Sequence, residues 1–371
     1  MEFGIMFFSS AEGDVAGNKY LPLIEAARYA DEHGFCCIWT PERHFHRFGG
    51  LFPNPSVTSA ALAVITSNLQ IRAGSLISPL HDPIRIAEEW SVVDNLSEGR
   101  VAISFGSGWN VDDFIFFPER YSVRQAIMFE QIETVKALWR GEAVMRRNSF
   151  GKEISTTILP KPIQAELPIW VTSSGNVETF VSAGAIGANI LTHLIGQDID
   201  MLAEKIRLYR VSLEDHGYEA QTGKVALMLH TFLGPDVGAV KEKVRVPFRE
   251  YLRSAVVLER KAASGGGVIS GGHKIESHDI SDQVMEDMLD VVFERYFHGL
   301  ALMGTPAGCE RLIWRLKEIG VDEVACLIDF LDDTDAILES LHYLNELRAA
   351  FCSDRLADAT DQSVSAFLEE L

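Results

Sequence analysis

The chain has 371 residues, 47% of them hydrophobic, and its 33 Lys and Arg against 53 Asp and Glu give a formal net charge of −20. That composition supplies a large apolar core and excludes a mainly disordered protein. The acidic balance repels phosphate backbones and anionic lipid surfaces, which excludes nucleic acid and membrane as main partners.

Short β-rich runs alternate with segments of helical period from one end to the other. Strands are expected at 2–8, 35–40, 69–77, 100–105, 168–172, 188–192, 224–232 and 321–328. Helices are expected at 19–33, 54–67, 83–97, 122–139, 175–185, 197–216, 305–319 and 333–350. Within 83–97, for example, Ala87, Trp90, Val93 and Leu96 recur at helical spacing, Pro83 suits a first turn, and Gly99 suits the position just past the end. Most strand runs are continuously apolar, as in strands covered on both faces. Eight strands with eight helices is the arithmetic of an α/β protein closed as a (β/α)8 TIM barrel.

Two stretches break the repeat. Residues 142–167 read as a small hairpin excursion before the fifth strand, turning at Asn148-Ser149-Phe150-Gly151. Residues 234–304 are too long for a βα loop and form an insertion after the seventh strand, either a surface feature or an active-site lid. It carries Gly265-Gly266-Gly267 and Gly271-Gly272. Residues 1–350 are thus expected to be one barrel domain that includes this insertion, followed by an acidic tail at 351–371 that is a linker or a frayed helix.

The five cysteines are Cys36, Cys37, Cys309, Cys326 and Cys352, an odd number with no CxxC, which points to reduced thiols in a cytoplasmic protein. No basic leader precedes a long apolar segment and no run of eighteen apolar residues occurs, so a soluble, unexported protein is expected.

In such barrels the active site forms at the C-terminal ends of the strands. Those ends supply Ser9 and Ser10; then Glu42, Arg43, His44 and His46; then Ser78; then Gly106 to Asn110. The later strands supply Thr172 to Asn176, Thr192 and His193, His230 and Thr231, and Asp329. Hydroxyls and imidazoles dominate and no carboxylate pair does, which suits a polar cofactor better than two-carboxylate hydrolysis. Thr172-Ser173-Ser174-Gly175-Asn176 feeds a helix, so it is either a phosphate seat or a plain N-cap. Gly106-Ser107-Gly108 lacks the third glycine of a dinucleotide fingerprint. Glu42, His44 and His46 alternate, but no further ligand is near in sequence and no metal is expected. His44 suits proton transfer or a structural role. No G-x-S-x-G, Walker A or H-E-x-x-H is present.

Five segments together carry a family resemblance. They are Trp39-Thr40-Pro41-Glu42-Arg43-His44-Phe45; the run from His81-Asp82-Pro83 through Asp94-Asn95-Leu96-Ser97-Glu98-Gly99-Arg100; Ser104 to Asn110; Pro168 to Gly175; and Gly304-Thr305-Pro306 ahead of Gly320-Val321-Asp322-Glu323. Through nearly the whole chain it resembles the bacterial luciferase-like flavin monooxygenases. Its Pro-Glu-Arg-His-Phe-His form, followed by Phe52-Pro53-Asn54-Pro55, is similar to the branch attached to polyketide and nonribosomal peptide assembly lines.

The resemblance implies a barrel, usually dimeric, that binds FMN at its C-terminal face. Reduced FMN would come from a separate reductase and react with O2 through a flavin C4a-peroxide, oxidising a natural-product intermediate, free or tethered to a carrier protein. The same fold also serves deazaflavin-dependent hydride-transfer oxidoreductases, and a flavin-binding protein without turnover is a third reading. By position, Ser174 and Gly175 would hold the FMN phosphate with Ser173 and Asn176 beside them. Gly74-Ser75 matches a segment near the flavin ring where relatives have a cis peptide, Ser107 and Trp109 match flavin contacts of the fourth strand, and His44 matches the second of two paired histidines. Phe7, Phe8, Phe105 and Trp109 are candidates for apolar walls, and Arg245, Arg249 and Arg253 for a basic patch that would meet an acidic carrier. Two departures stand out. Where relatives often carry a first histidine this chain has Arg43, and where they often carry an FMN-binding arginine it has Ser107. Arg43 and His44 are therefore the candidates for controlling protonation of the reacting oxygen.

Overall fold

The structure, a computed structural model, describes residues 1–8, 17–264 and 282–369, with side chains described except at 255, 257–264, 282 and 352–369. Ser9, Ser10 and the glycines at 265–267 and 271–272 lie outside the described residues. In chain order the elements are β1 (Glu2–Met6), α1 (Leu21–Glu32), β2 (Cys37–Thr40), α2 (Pro55–Ala63), β3 (Gln70–Ile77), α3 (Pro83–Leu96), β4 (Val101–Gly106) and α4 (Arg124–Trp139). A hairpin of β5 (Val144–Arg147) and β6 (Glu153–Thr156) precedes β7 (Ile169–Ser173), α5 (Val177–Ala185), β8 (Asn189–His193) and α6 (Ile199–Asp215). Then come β9 (Val225–Leu233), α7 (Val237–Ser264), α8 (Asp282–Phe297), β10 (Leu302–Gly304), α9 (Pro306–Glu318), β11 (Glu323–Leu327) and α10 (Thr334–Glu369).

Eight parallel strands run in the order β9-β11-β1-β2-β3-β4-β7-β8, and β8 pairs back onto β9, which closes the barrel. Closure is in register from Ile190 opposite Val225 to His193 opposite Met228. The (β/α)8 TIM barrel expected from the periodicity is the observed fold. Helix starts follow local chemistry: Asn54, Asp82, Asn176, Asp198 and Thr305 each accept a backbone N–H of the first turn. Pro55, Pro83 and Pro306 follow three of these caps, where a missing N–H costs nothing.

Among the described residues the insertion after β9 holds α7, α8 and the short β10, which extends the sheet by pairing with Thr231–Leu233. Arg245, Arg249 and Arg253 of α7 do not form a free basic patch. They pair across to Asp290 and Glu286 and join α7 to α8. At the other end α10 runs on to Glu369 rather than stopping near 350, because no Gly or Pro interrupts the sequence after Thr334. Among the described residues no helix is long and apolar enough to cross a membrane.

Inside the barrel, strands that are not neighbours in the sheet meet through one buried ion pair. Arg72 of β3 donates to Glu323 of β11 at 2.8 Å, with both side chains almost fully enclosed. Trp39 Nε1 donates to the other carboxylate oxygen at 2.9 Å. The guanidinium lies 4.8 Å and 4.7 Å from the ring centroids of Trp39 and Trp170, whose own rings meet edge-on at 5.2 Å. Among the described residues only Cys36, Cys37 and Glu323 bring three possible metal-ligating atoms together, and this carboxylate is already taken by Arg72 and Trp39. Buried charges are tolerable only when paired and hydrogen-bonded.

Removing one partner should therefore be costly. Arg72→Met is expected to lose about 3–5 kcal/mol of stability in urea unfolding. Arg72→Met with Glu323→Leu should recover much of that loss. A single variant as stable as the parent would contradict the role given to this pair.

Candidate functional site

Thr40 ends β2, and the chain crosses the C-terminal rim of the barrel as Pro41-Glu42-Arg43-His44. Two backbone bonds fix the turn: Glu42 N–H donates to the Ser75 carbonyl and Arg43 N–H to the Phe52 carbonyl, each at 2.9 Å. They bury the Glu42 side chain beneath the ends of β2 and β3. Its Oε1 accepts from His44 Nε2 at 3.0 Å and from His81 Nε2 at 2.6 Å, and its Oε2 accepts from Ile77 N–H at 2.7 Å. Burial pushes the carboxyl pKa up, but the bonds from His44, His81 and Ile77 outweigh it and leave the pKa below the ordinary value. An ionised carboxylate only accepts, so both imidazoles present a proton at Nε2. Burial lowers the His81 pKa, and the bond and charge of Glu42 more than reverse this, so the net shift is upward.

Arg43 turns the other way. Its guanidinium stands 4.5 Å from the Phe8 ring centroid, 4.7 Å from Phe48 and 6.0 Å from Trp109. The loop approaches so closely that a Cβ on Gly49, whose φ is +73°, would overlap the Arg43 chain. Among the described residues the guanidinium makes no ion pair or hydrogen bond. Burial lowers its pKa, opposed by Tyr251, Asp113 and Asp329. A cavity of about 30 Å³ is lined by Glu42, Arg43, His44, Trp109, Asn110 and Asp113. Asp113 is 5% exposed and accepts from Asn110 Nδ2 at 2.7 Å. Burial pushes its pKa up to about 6, with His44, Arg43 and Asn110 opposing.

The neighbouring strand ends are small and close-fitting. The Gly74–Ser75 peptide is cis, and a Cβ on Gly74 would lie 2.8 Å from Trp39. A Cβ on Gly106 would lie 2.7 Å from Ser75 Oγ. Ser107 follows β4 half-buried, Gly108 holds φ +78° with its carbonyl taken by Arg124 Nε at 2.7 Å, and Trp109 is exposed at the rim. Of the four expected wall residues, Phe8 and Trp109 flank Arg43, whereas Phe7 and Phe105 are sealed in the core.

The second cluster begins α5. Asn176 is the N-cap and its side-chain oxygen accepts from Glu178 N–H at 2.9 Å, so that oxygen is spent on the helix. Ser173 is buried with its hydroxyl on the Asn176 carbonyl at 3.4 Å, while Ser174 is exposed. Gly175 between them has φ +105°, and a Cβ there would meet Lys205 Nζ at 3.1 Å and Gln197 Oε1 at 3.4 Å. A glycine cradle at a helix N-terminus, with an ammonium behind it, has the donor chemistry a flavin phosphate needs. β4 and β7 are paired strands, so this seat adjoins the Gly106-Ser107-Gly108 corner. A larger cleft of about 370 Å³ opens between the loop after β8 and helices α7 and α8, with Leu194, Ile195, Tyr251, Val292 and Tyr296 among its walls.

The structure thus brings Arg43, His44 and Trp109 to one small cavity, and Ser173, Ser174, Gly175 and Asn176 to the start of α5. His193 and His230 join neither: burial and Lys205 push the first down to about 4, and burial and His193 push the second down to about 3. Sequence reasoning did not single out His81, Asp113 or Lys205. The adjacent Asp112 and Asp113 look alike in sequence, and only the turn of 111–116 decides which is buried.

A model of the family described as luciferase-like monooxygenase matches residues 1–323. The oxygenase component of a flavin-dependent trigonelline monooxygenase from Acinetobacter baylyi is 26% identical over 240 residues, covering 63% of this chain and 65% of that protein. The crystal structure of the monooxygenase RslO1 from Streptomyces bottropensis superposes with a TM-score of 0.76 at 21% identity, covering 93% of this chain and 98% of that one. An F420-dependent secondary alcohol dehydrogenase in complex with an F420-acetone adduct reaches 0.69 at 17% identity, covering 93% and 97%.

The raised Asp113 pKa has a signed consequence. As pH rises from the ordinary value of 3.8 towards about 6, the unfolded chain ionises before the folded one, so stability falls across that window and stays lowered above it. Asp113→Asn should therefore be more stable than the parent at pH 8 by about 1–3 kcal/mol and show no gain at acid pH. Urea midpoints at the two pH values measure this, and an equal midpoint at pH 8 would remove the buried, strained carboxyl from the picture.

Proposed function

Because the chain belongs to the luciferase-like monooxygenase family and is an enzyme of that flavin-dependent class, we propose that it uses reduced FMN and O2 to oxygenate a small apolar intermediate of the polyketide or nonribosomal-peptide type. The observation that carries this reading is the pairing, in one small cavity, of a guanidinium stacked between aromatic rings, without an ion pair among the described residues, with an imidazole held by a buried carboxylate. Ser173, Ser174, Gly175 and Asn176 would hold the phosphate of the flavin, and Gly74, Ser75, Ser107 and Trp109 would face its ring. When bound there, reduced FMN supplies the two electrons that let one oxygen atom enter the substrate and the other leave as water.

The chain's own residues do the rest. Arg43 offers a fixed positive charge to oxygen as negative charge develops on it, in a place where rings rather than water surround the guanidinium. His44, oriented by Glu42, holds a proton at Nε2 on the same cavity. Asp113, with a pKa near 6, is able to exchange one close to neutral pH. Phe8, Phe48 and Trp109 keep water from the guanidinium. The apolar cleft beside α7 and α8 suits the body of the substrate. With the three α7 arginines consumed by ion pairs, a free small molecule is favoured over one presented by an acidic carrier protein. A separate reductase in the cytoplasm would supply the reduced flavin. The exposed Val57 and Val64 on and beside α2, and Val92 and Leu96 on the adjoining α3, offer an apolar face for a homodimer.

A second reading, hydride transfer with a deazaflavin, is supported by the likeness to the F420-dependent dehydrogenase. Rapid mixing separates the two. Reduced FMN bound to the protein should reoxidise in oxygenated buffer at least about tenfold more slowly than free reduced FMN, because bulk water and protons are held away. Arg43→Ala should return most of that difference, and Arg43→Lys less of it. Reoxidation at the free rate in the parent protein, together with direct hydride exchange with F420, would replace the oxygenase reading by the second.

A further inference from the structure

Among the described residues, Lys205 is a buried cation without a counter-ion. It lies on α6, 7% exposed, and its ammonium donates to Gln197 Oε1 at 2.7 Å. Among the described residues no carboxylate comes within ion-pair distance of it. Gln197, itself 4% exposed, is held in turn by donating to the Thr192 hydroxyl at 3.3 Å and the His193 carbonyl at 2.5 Å. The ammonium is therefore positioned by a fixed amide and not by a charge. Burial pushes its pKa down, with Asp198 the opposing charge. The nearby His193 adds no positive charge at neutral pH.

An enclosed, unneutralised ammonium is costly unless an anion completes it. The opening for that anion is visible. Gly175 has no side chain between the ammonium and the first turn of α5, and a Cβ there would sit 3.1 Å from Nζ. The N-terminal end of α5, a helix of nine residues, directs its dipole to the same corner. On the β4 side the matching position is Ser107, which brings no charge, and the Arg124 guanidinium is bound to the carbonyls of Gly108 and Tyr121.

We propose that Lys205 is the cation that neutralises the phosphate of the bound flavin, reaching it from α6 past Gly175, and that it sets the preference of this protein for FMN over unphosphorylated riboflavin. The proposal rests on the flavin reading given above. Gln197 aims the ammonium, and the small residues of 173–175 let the phosphate approach.

The test uses the full-length protein and reduced FMN and riboflavin, with free flavin measured after anaerobic ultrafiltration. The parent protein is expected to bind FMN at least about tenfold more tightly than riboflavin, the scale of a charge-assisted contact. Lys205→Met should abolish most of that difference while leaving riboflavin binding within about twofold, which also shows that the variant is folded. Lys205→Arg should restore part of the preference. An undiminished FMN preference in Lys205→Met overturns the proposal and leaves the flavin reading standing. So does an equal weakening of both flavins, which would assign Lys205 a structural role through Gln197. A parent protein that binds riboflavin as well as FMN overturns it too. A parent protein that binds neither flavin overturns the proposal together with the reading beneath it.

Discussion

The site depends on one carboxylate that has nowhere to go. Glu42 is sealed beneath the rim, and three donors from two strand ends converge on it: His44 just past β2, Ile77 at the end of β3, and His81 in the turn that follows. Leaving the carboxylate short of donors would cost more than each bond contributes, because the Glu42 side chain is fully buried. The position and proton of His44 are thus set by the ends of β2 and β3 that bury Glu42. Once Glu42 points inward, Arg43 must point outward along the same turn, and Phe8, Phe48 and Trp109 are what it meets.

A second buried acid, Glu323, plays a different part with similar chemistry. It neutralises Arg72 at the heart of the barrel and ties β11 to β3 through the interior. Both charges of that pair are consumed, so it contributes to specifying the closed barrel and presents nothing to a ligand. At the C-terminal rim the neutralisation among the described residues is incomplete: Arg43 is stacked on rings without an ion pair, and the Lys205 ammonium is bonded to the Gln197 amide without a carboxylate. Among the described residues, cations at the rim are thus left without a carboxylate partner, whereas the pair in the middle of the barrel is complete.

The barrel was legible because its strands are continuous apolar runs and its helices begin at caps that can be read directly, such as Asn54-Pro55, Asp82-Pro83 and Thr305-Pro306. The hairpin at 144–156 announced itself by its Asn-Ser-Phe-Gly turn. The acidic, weakly apolar stretch after 350 reads equally as a linker or a frayed helix, and α10 continues through it because nothing in it stops a helix. Arg245, Arg249 and Arg253 looked like a basic patch because their acidic partners Glu286 and Asp290 lie on the other helix of the insertion. The same distance effect hid the finer chemistry of the site. The Glu42–His81 bond spans 39 residues, and Lys205 meets Gly175 across 30, so neither pairing leaves a trace in local spacing. Glu42, Arg43 and His44 were visible as strand-end residues, but which of them turns inward is decided by Ser75 and Phe52, which take their backbone N–H groups.

The most direct test of Glu42 as organiser is histidine-selective nitrogen NMR of the parent protein and Glu42→Gln, with far-UV circular dichroism to verify the barrel. The expected result is that His44 and His81 both carry a proton at Nε2 in the parent, with His81 titrating above its ordinary value of 6.5. In Glu42→Gln the His81 midpoint should fall to or below that value, and the common tautomer should be lost, while the fold remains. Unchanged tautomers and an unchanged His81 midpoint in the folded variant would show that something other than this carboxylate positions the imidazoles.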